Sequence, residues 1–236
     1  MKPQIKIAEA PTPEGDILEL IEHDKDMYIC ANGQHLMTSR AYGSEEELGR
    51  MACQPFREAR QPIILIGGLG MGFTLRAVLE SVPQSKAQVI VAEIIPEVVD
   101  WNKTHLDKYH PDLLKDKRIG IKIGPVQQAI KDANEDYHAI ILDVDNGPSA
   151  FTGKDNNSLY SDQGLKAIHS ALKSGGLLAV WSAYADPQFT KRLRKVGFDT
   201  SVVEVPAAHK GSKRRMHTIW LAKKGSYVSQ HTKSRR

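Results

Sequence analysis

From residue 62 onward, short apolar runs alternate with amphipathic stretches. PIILIG, QVIVAE, RIGIKI, HAIILD and LLAVWS are the apolar runs, and helical spacing follows most of them. Strands that are apolar on both faces and separated by helical segments predict a mostly parallel, doubly wound α/β sheet. Gly175-Gly176 and Gly197 stand where helix C-caps belong, after SDQGLKAIHSALKS and PQFTKRLRKV. The last two runs, TSVVEV and HTIWLA, are joined by a basic loop too short for a crossover helix, which predicts an antiparallel hairpin at the sheet edge. No internal repeat or low-complexity segment interrupts this order.

The first sixty residues carry a different pattern. ILELI and MYICA are β-prone, and Asn32-Gly33 between MYICA and HLMT supplies the two positive φ angles of a type I′ hairpin turn. In SEEELGRMACQPF, Ser44 and Glu47 have capping-box spacing, Glu45 and Glu46 suit the positive end of a helix dipole, and Leu48, Met51 and Ala52 form one apolar face. The expected organisation is a small β-rich region over 1–58, a main domain over 59–224 and a basic flexible tail over 225–236.

Composition narrows the class. With 41% hydrophobic and 25% charged residues, the 236-residue chain reads as a globular protein with one main core. No apolar stretch is long enough to cross a bilayer, and the opening MKPQIKIAEAPTPEGD has no apolar signal core, so a cytoplasmic location without membrane association is expected. Cys30 and Cys53 lack CxxC spacing and read as buried thiols, with no zinc motif and no metal implied. The net charge of +4 raises the question of nucleic acid, yet its distribution argues against one. Residues 209–236 hold nine of the 32 basic residues and no acid, leaving 23 basic against 28 acidic in the body, and no aromatic platform accompanies the tail.

The candidate chemistry sits at strand ends. GGLGMG packs four glycines into six residues after the first parallel strand, where backbone N–H groups and a helix start meet a ligand. Gly68, Gly70 and Gly72 form GxGxG; Phe73 occupies the place of the last glycine in the dinucleotide pattern GxGxxG, and no GK[ST] follows. The second strand ends in Glu93, where an acid accepts hydrogen bonds from ribose hydroxyls, and together these favour a bound adenosine. The fourth strand runs into Asp143, Asp145 and Asn146. An Asx-turn explains part of that cluster, and carboxylates there otherwise suit a cationic or amine substrate.

These residues resemble the spermidine synthase family of polyamine aminopropyltransferases, which has the class I methyltransferase fold. The resemblance spans about residues 15 to 205. It rests on IILIGGLGMGFTLRAVLE, VIVAEIIPEVVDWNKTHL, AIILDVDNGPSA and LYSDQGLKAIHSALKSGGLLAVWS, with MYICANGQHLMT similar to the family's amino-terminal strands. It implies a transferase of polyamine biosynthesis, a decarboxylated S-adenosylmethionine or S-adenosylmethionine cofactor held by the glycine loop and Glu93, and a small amine acceptor. Asp143 is then the catalytic proton acceptor, Asp145, Asn146 and Tyr42 the substrate-binding residues, and self-association as a homodimer is expected. The sequence departs from the family in three places. Its loop GGLGMG lacks the family's acid, SRAYGSEE replaces "DExxYHE" and leaves Tyr42 without a histidine, and Gly124-Pro125 replaces "GD". The alternatives are an S-adenosylmethionine-dependent methyltransferase and a catalytically idle nucleoside-binding homologue.

Overall fold

A computed structural model describes residues 3–144, 148, 158–208 and 215–225. Its main body is a seven-stranded sheet of β5 (Ile63–Gly67), β6 (Gln88–Glu93), β7 (Ile119–Ile123), β8 (Tyr137–Leu142), β9 (Leu172–Ser182), β10 (Phe198–Pro206) and β11 (Met216–Lys224). The spatial order is β10-β11-β9-β8-β5-β6-β7. β7, β6, β5, β8 and β9 run parallel, and β11 lies antiparallel between β9 and the edge strand β10. The parallel sheet and its antiparallel terminal hairpin are therefore as the pattern predicts.

Alternate residues of the central strands feed two cores. Ile64, Ile66, Val89, Val91, Ala139, Ile141 and Trp181 pack on one face, and Leu65, Ala92, Ile140, Leu142, Leu178 and Val180 on the other. The first face is covered by α1 (Gly43–Cys53), α2 (Phe73–Ser81) and α3 (Pro96–Thr104), the second by α4 (Val126–Lys131), α5 (Asp162–Ala171) and α6 (Pro187–Val196). Burial on both faces explains why β5, β6, β8 and the second half of β9 read as continuous apolar runs.

A separate antiparallel sheet precedes α1, with order β1 (Ile5–Pro11), β2 (Ile17–His23), β3 (Asp26–Ala31) and β4 (Gln34–Thr38). Asn32 at φ +52° and Gly33 at φ +73° make the expected turn between β3 and β4. β1 was not legible, because IKIAEAP alternates weakly and is largely exposed.

Two local expectations need correction. Ser44 does not cap α1: the cap position is Tyr42, no side chain caps it, and Ser44 lies buried within the first turn. Gly175-Gly176 do not end α5, which stops at Ala171; they fall in the irregular start of β9, where the register slips between the pairs Tyr137/Leu172 and Ala139/Leu177. Gly197, at φ +106°, does cap α6. Among the described residues no helix is long and apolar enough to cross a membrane.

Candidate active site

The strand order reverses between β5 and β8, since β6 and β7 lie on one side of β5 while β8 and β9 lie on the other. Open α/β sheets take their ligands at the carboxyl end of such a switch. The glycine turn leaves β5 there, and backbone bonds tie three strand ends together: Gly68 N donates to Ala92 O at 2.9 Å and Asp143 N to Gly67 O at 3.0 Å.

The glycines are crowded by protein. A Cβ on Gly68, at φ +86°, would lie 2.5 Å from the carbonyl oxygen of Asp143. One on Gly70, at φ +52°, would lie 2.6 Å from Met37 Sδ of β4, and one on Gly72 would meet His110 and Asn102. Asn102 Nδ2 also donates to Gly70 O at 2.8 Å, which fixes the turn from α3.

Glu93 is buried at the end of β6. Oε2 accepts from Leu69 N at 2.8 Å and Oε1 from Ile95 N at 2.9 Å, so the acid anchors the glycine turn. Burial pushes its carboxyl above the usual range, against these backbone N–H groups, which favour the ionised form. Beside it Ile94 is 44% and Ile123 56% exposed, an apolar surface at the ends of β6 and β7.

Asp143 follows β8 and is buried, with Oδ2 accepting a 2.6 Å hydrogen bond from Thr74 Oγ1 of α2. Burial raises its carboxyl and the Thr74 bond lowers it, burial being the larger effect. It faces a cavity of about 10 Å³, the room of one water, together with Glu45, Met37, Leu69, Met71 and Phe73. Glu45, read from the sequence only as a helix-dipole residue, is thus a second acid of the site. Gly49, one turn further along α1, brings it there: a Cβ would stand 2.8 Å from Thr74 O, so α1 and α2 touch backbone to backbone. No local pattern reveals such a crossing.

Tyr42 does not line this cavity. Its ring stacks on Phe73 at 4.0 Å and 8°, with the Arg76 guanidinium over both rings and paired with Glu46. Asp145 and Asn146 lie outside the described residues. Among the described residues, no group of three His, Cys, Asp or Glu side chains could hold a metal ion. Cys30 and Cys53 are both buried thiols, and burial pushes Cys53 up to about 12.

The family model for the spermine/spermidine synthase domain matches residues 45–204, a span that begins at the second acid and includes the glycine turn, Glu93 and Asp143. The chain belongs to this family. The polyamine aminopropyltransferase of Sulfolobus acidocaldarius is 30% identical over 122 residues, 51% of this chain and 38% of that protein. Polyamine aminopropyltransferase 2 of Pseudomonas aeruginosa is 30% identical over 122 residues, 50% of this chain and 32% of that protein. The chain therefore spans well under half the length of these relatives. In structure it is similar to the spermidine synthase of Thermotoga maritima, with a TM-score of 0.71 and 21% identity over 93% of this chain and 73% of the other. A spermidine synthase in complex with the transition state analogue AdoDATO aligns with a TM-score of 0.69 at 21% identity, over 93% and 72%. These structural likenesses establish the fold.

Proposed function

We propose that the protein transfers an aminopropyl group from decarboxylated S-adenosylmethionine to a small amine. The observation that carries this reading is a buried carboxylate, Asp143, packed against the glycine turn at the topological switch. Membership of the spermine/spermidine synthase domain family supports it.

Glu93 is suited to the ribose. Its two oxygens accept from Leu69 N and Ile95 N, which hold the carboxylate at the strand end where ribose hydroxyls would donate to it. Ile94 and Ile123 offer apolar contact to the base, and α2 begins at the glycine turn with no side-chain cap over its first N–H groups. Bound, the cofactor supplies an activated sulfonium: the amine nitrogen bonds to the propyl carbon as the C–S bond breaks, and its electron pair stays on sulfur as a neutral thioether.

The nitrogen must shed one proton. Asp143 takes it, with Oδ2 held by Thr74. A carboxylate does not readily deprotonate a free ammonium of pKa about 10, but the nitrogen becomes far more acidic as the C–N bond forms. Asp145 and Asn146 hold the acceptor, and Tyr42 acts through the Phe73 ring on which it stacks.

A methyl transfer from S-adenosylmethionine is the second reading, favoured by one observation: the turn carries buried, apolar Leu69 and Met71 and no acid. Thermal-shift titration separates the two, with preference for the decarboxylated cofactor expected and preference for the carboxylated one overturning aminopropyl transfer. Asp143→Asn keeps shape and acceptor but not charge. Cofactor binding should survive in that variant while transfer to an amine falls roughly 100-fold or more, the scale of losing a positioned proton acceptor. Unchanged turnover would remove Asp143 from the chemistry. If the wild type binds neither cofactor, the idle homologue is the reading that stands.

A further inference from the structure

We propose that Glu45 is a second working acid of this site, a positioning residue that shares one proton with Asp143 and leaves Asp143 as the ionised member. Its use in transfer rests on the reading above; the shared proton does not.

The geometry is that of two carboxyl groups lining one water-sized cavity otherwise closed by Met37, Leu69, Met71 and Phe73. Thr38 and Thr74 are its other described walls, and neither is charged. Two like charges buried side by side around so small a space disfavour ionisation of both, so one proton stays.

The surroundings decide where. Thr74 Oγ1 donates to Asp143 Oδ2 at 2.6 Å, which favours the ionised form of Asp143. Glu45 feels burial first and the charge of Asp143 second, both raising its carboxyl, and the Ser44 bond opposes them only in part. Of the other groups nearby, Glu46 adds a smaller upward push on Glu45 and His217 is uncharged. On α1, Glu46 is paired with Arg76 of α2. On β11, burial and the Arg215 cation lower His217 to about 4, so the ring is neutral at pH 7.

Ser44 fixes the orientation of Glu45. Its hydroxyl donates to Glu45 Oε2 at 2.5 Å and accepts from Trp181 Nε1 at 3.0 Å. Ser44 Oγ also lies 2.9 Å from His217 Nδ1, a contact in which the ring donates when the Ser44 proton points at Glu45 and accepts when it points at the ring. Three elements, α1, β9 and β11, therefore converge on one hydroxyl to aim one carboxyl. Such a built network exceeds what a helix-dipole residue needs. In the transfer reaction the pair passes from one proton to two as the amine nitrogen loses its own, and it returns one to solvent before the next turnover.

Infrared difference spectroscopy of the full-length chain tests this across pH, since a protonated carboxyl has a carbonyl band that a carboxylate lacks. The wild type should show one buried protonated carboxyl at pH 7, absent in Glu45→Gln. In Asp143→Asn the midpoint of that band should fall by about one pH unit or more, because the like charge is gone. In Ser44→Ala it should rise, because the donor to the ionised form is gone. A Glu45 that titrates independently of Asp143 and Ser44 predicts no such opposed shifts. If Asp143→Asn does not fold, Ser44→Ala still carries the test. No protonated carboxyl in the wild type at pH 7, or a midpoint that neither variant moves, overturns the proposal. A shared proton in a wild type that transfers nothing to any amine overturns the reaction alone.

Discussion

At the scale of single residues, most of the site's chemistry comes from polar groups taken out of water. Glu45, Glu93 and Asp143 are pushed toward their neutral forms by burial, while His110 and His217 are held neutral by burial and nearby arginines, each lowered to about 4. The histidines have a consequence for stability. Each has an ordinary value of 6.5 and a lower one in the folded protein, so between pH 6.5 and about 4 the unfolded chain binds protons that the folded chain refuses. Their contribution is complete above pH 6.5 and is lost as pH falls through that window. His217→Asn replaces the ring by an amide, able to donate to or accept from Ser44, that does not titrate. The variant should lose less melting temperature than the wild type between pH 7 and pH 4.5, a difference on the order of 2 kcal/mol at the acid end. Parallel melting curves for both proteins would show that His217 is not the titrating group.

At the scale of elements, legibility followed the range of the interaction. The parallel strands, the Asn32-Gly33 turn and the Gly197 cap were readable because hydrophobic period and positive φ are local properties. Ser44 was misread because capping-box spacing carries no information about Trp181 and His217, both more than 130 residues away. The glycine turn was readable as a turn, but not that Met37 of β4 and the backbone of Asp143 press on it. That difference is testable, because a side-chain end can move and a strand backbone cannot. Gly68→Ala forces a Cβ to 2.5 Å from Asp143 O in a left-handed conformation, and should cost at least about 2 kcal/mol, roughly 5 °C in melting temperature. Gly70→Ala meets only Met37 Sδ and Cε. Adding Met37→Ala should restore part of what Gly70→Ala loses and nothing of what Gly68→Ala loses. Equal recovery in both double variants would mean that Met37, not the Asp143 backbone, sets the strain at both positions.

At the scale of the whole molecule, the amino-terminal sheet and the seven-stranded sheet share one core. Leu20, Met27 and Ile29 of β2 and β3 belong to the same buried cluster as Leu48 of α1 and Ile64, Ile66 and Val89 of the main sheet. Each such side chain contributes roughly 1.5–3 kcal/mol by leaving water, so these three alone approach the 5–15 kcal/mol that separates folded from unfolded domains. β4 also supplies Met37 and Thr38 to the wall of the site. We therefore propose that the boundary near residue 58 divides the chain by pattern without dividing it into independent folding units. The opposite end differs. β11 finishes at Lys224, whose Nζ donates to Leu172 O at 2.7 Å and to Glu135 Oε1 at 3.0 Å, which ties the end of the strand to the main body. Residues 226–236 show neither strand nor helix periodicity in sequence. Removing residues 226–236 should change the melting temperature by no more than about 2 °C, while removing residues 1–40 should abolish the cooperative transition and expose a face that binds hydrophobic dyes. A sharp melt with no dye binding in the chain that starts at residue 41 would show that the main sheet folds alone. A large fall on removing the tail would place those eleven residues against the core.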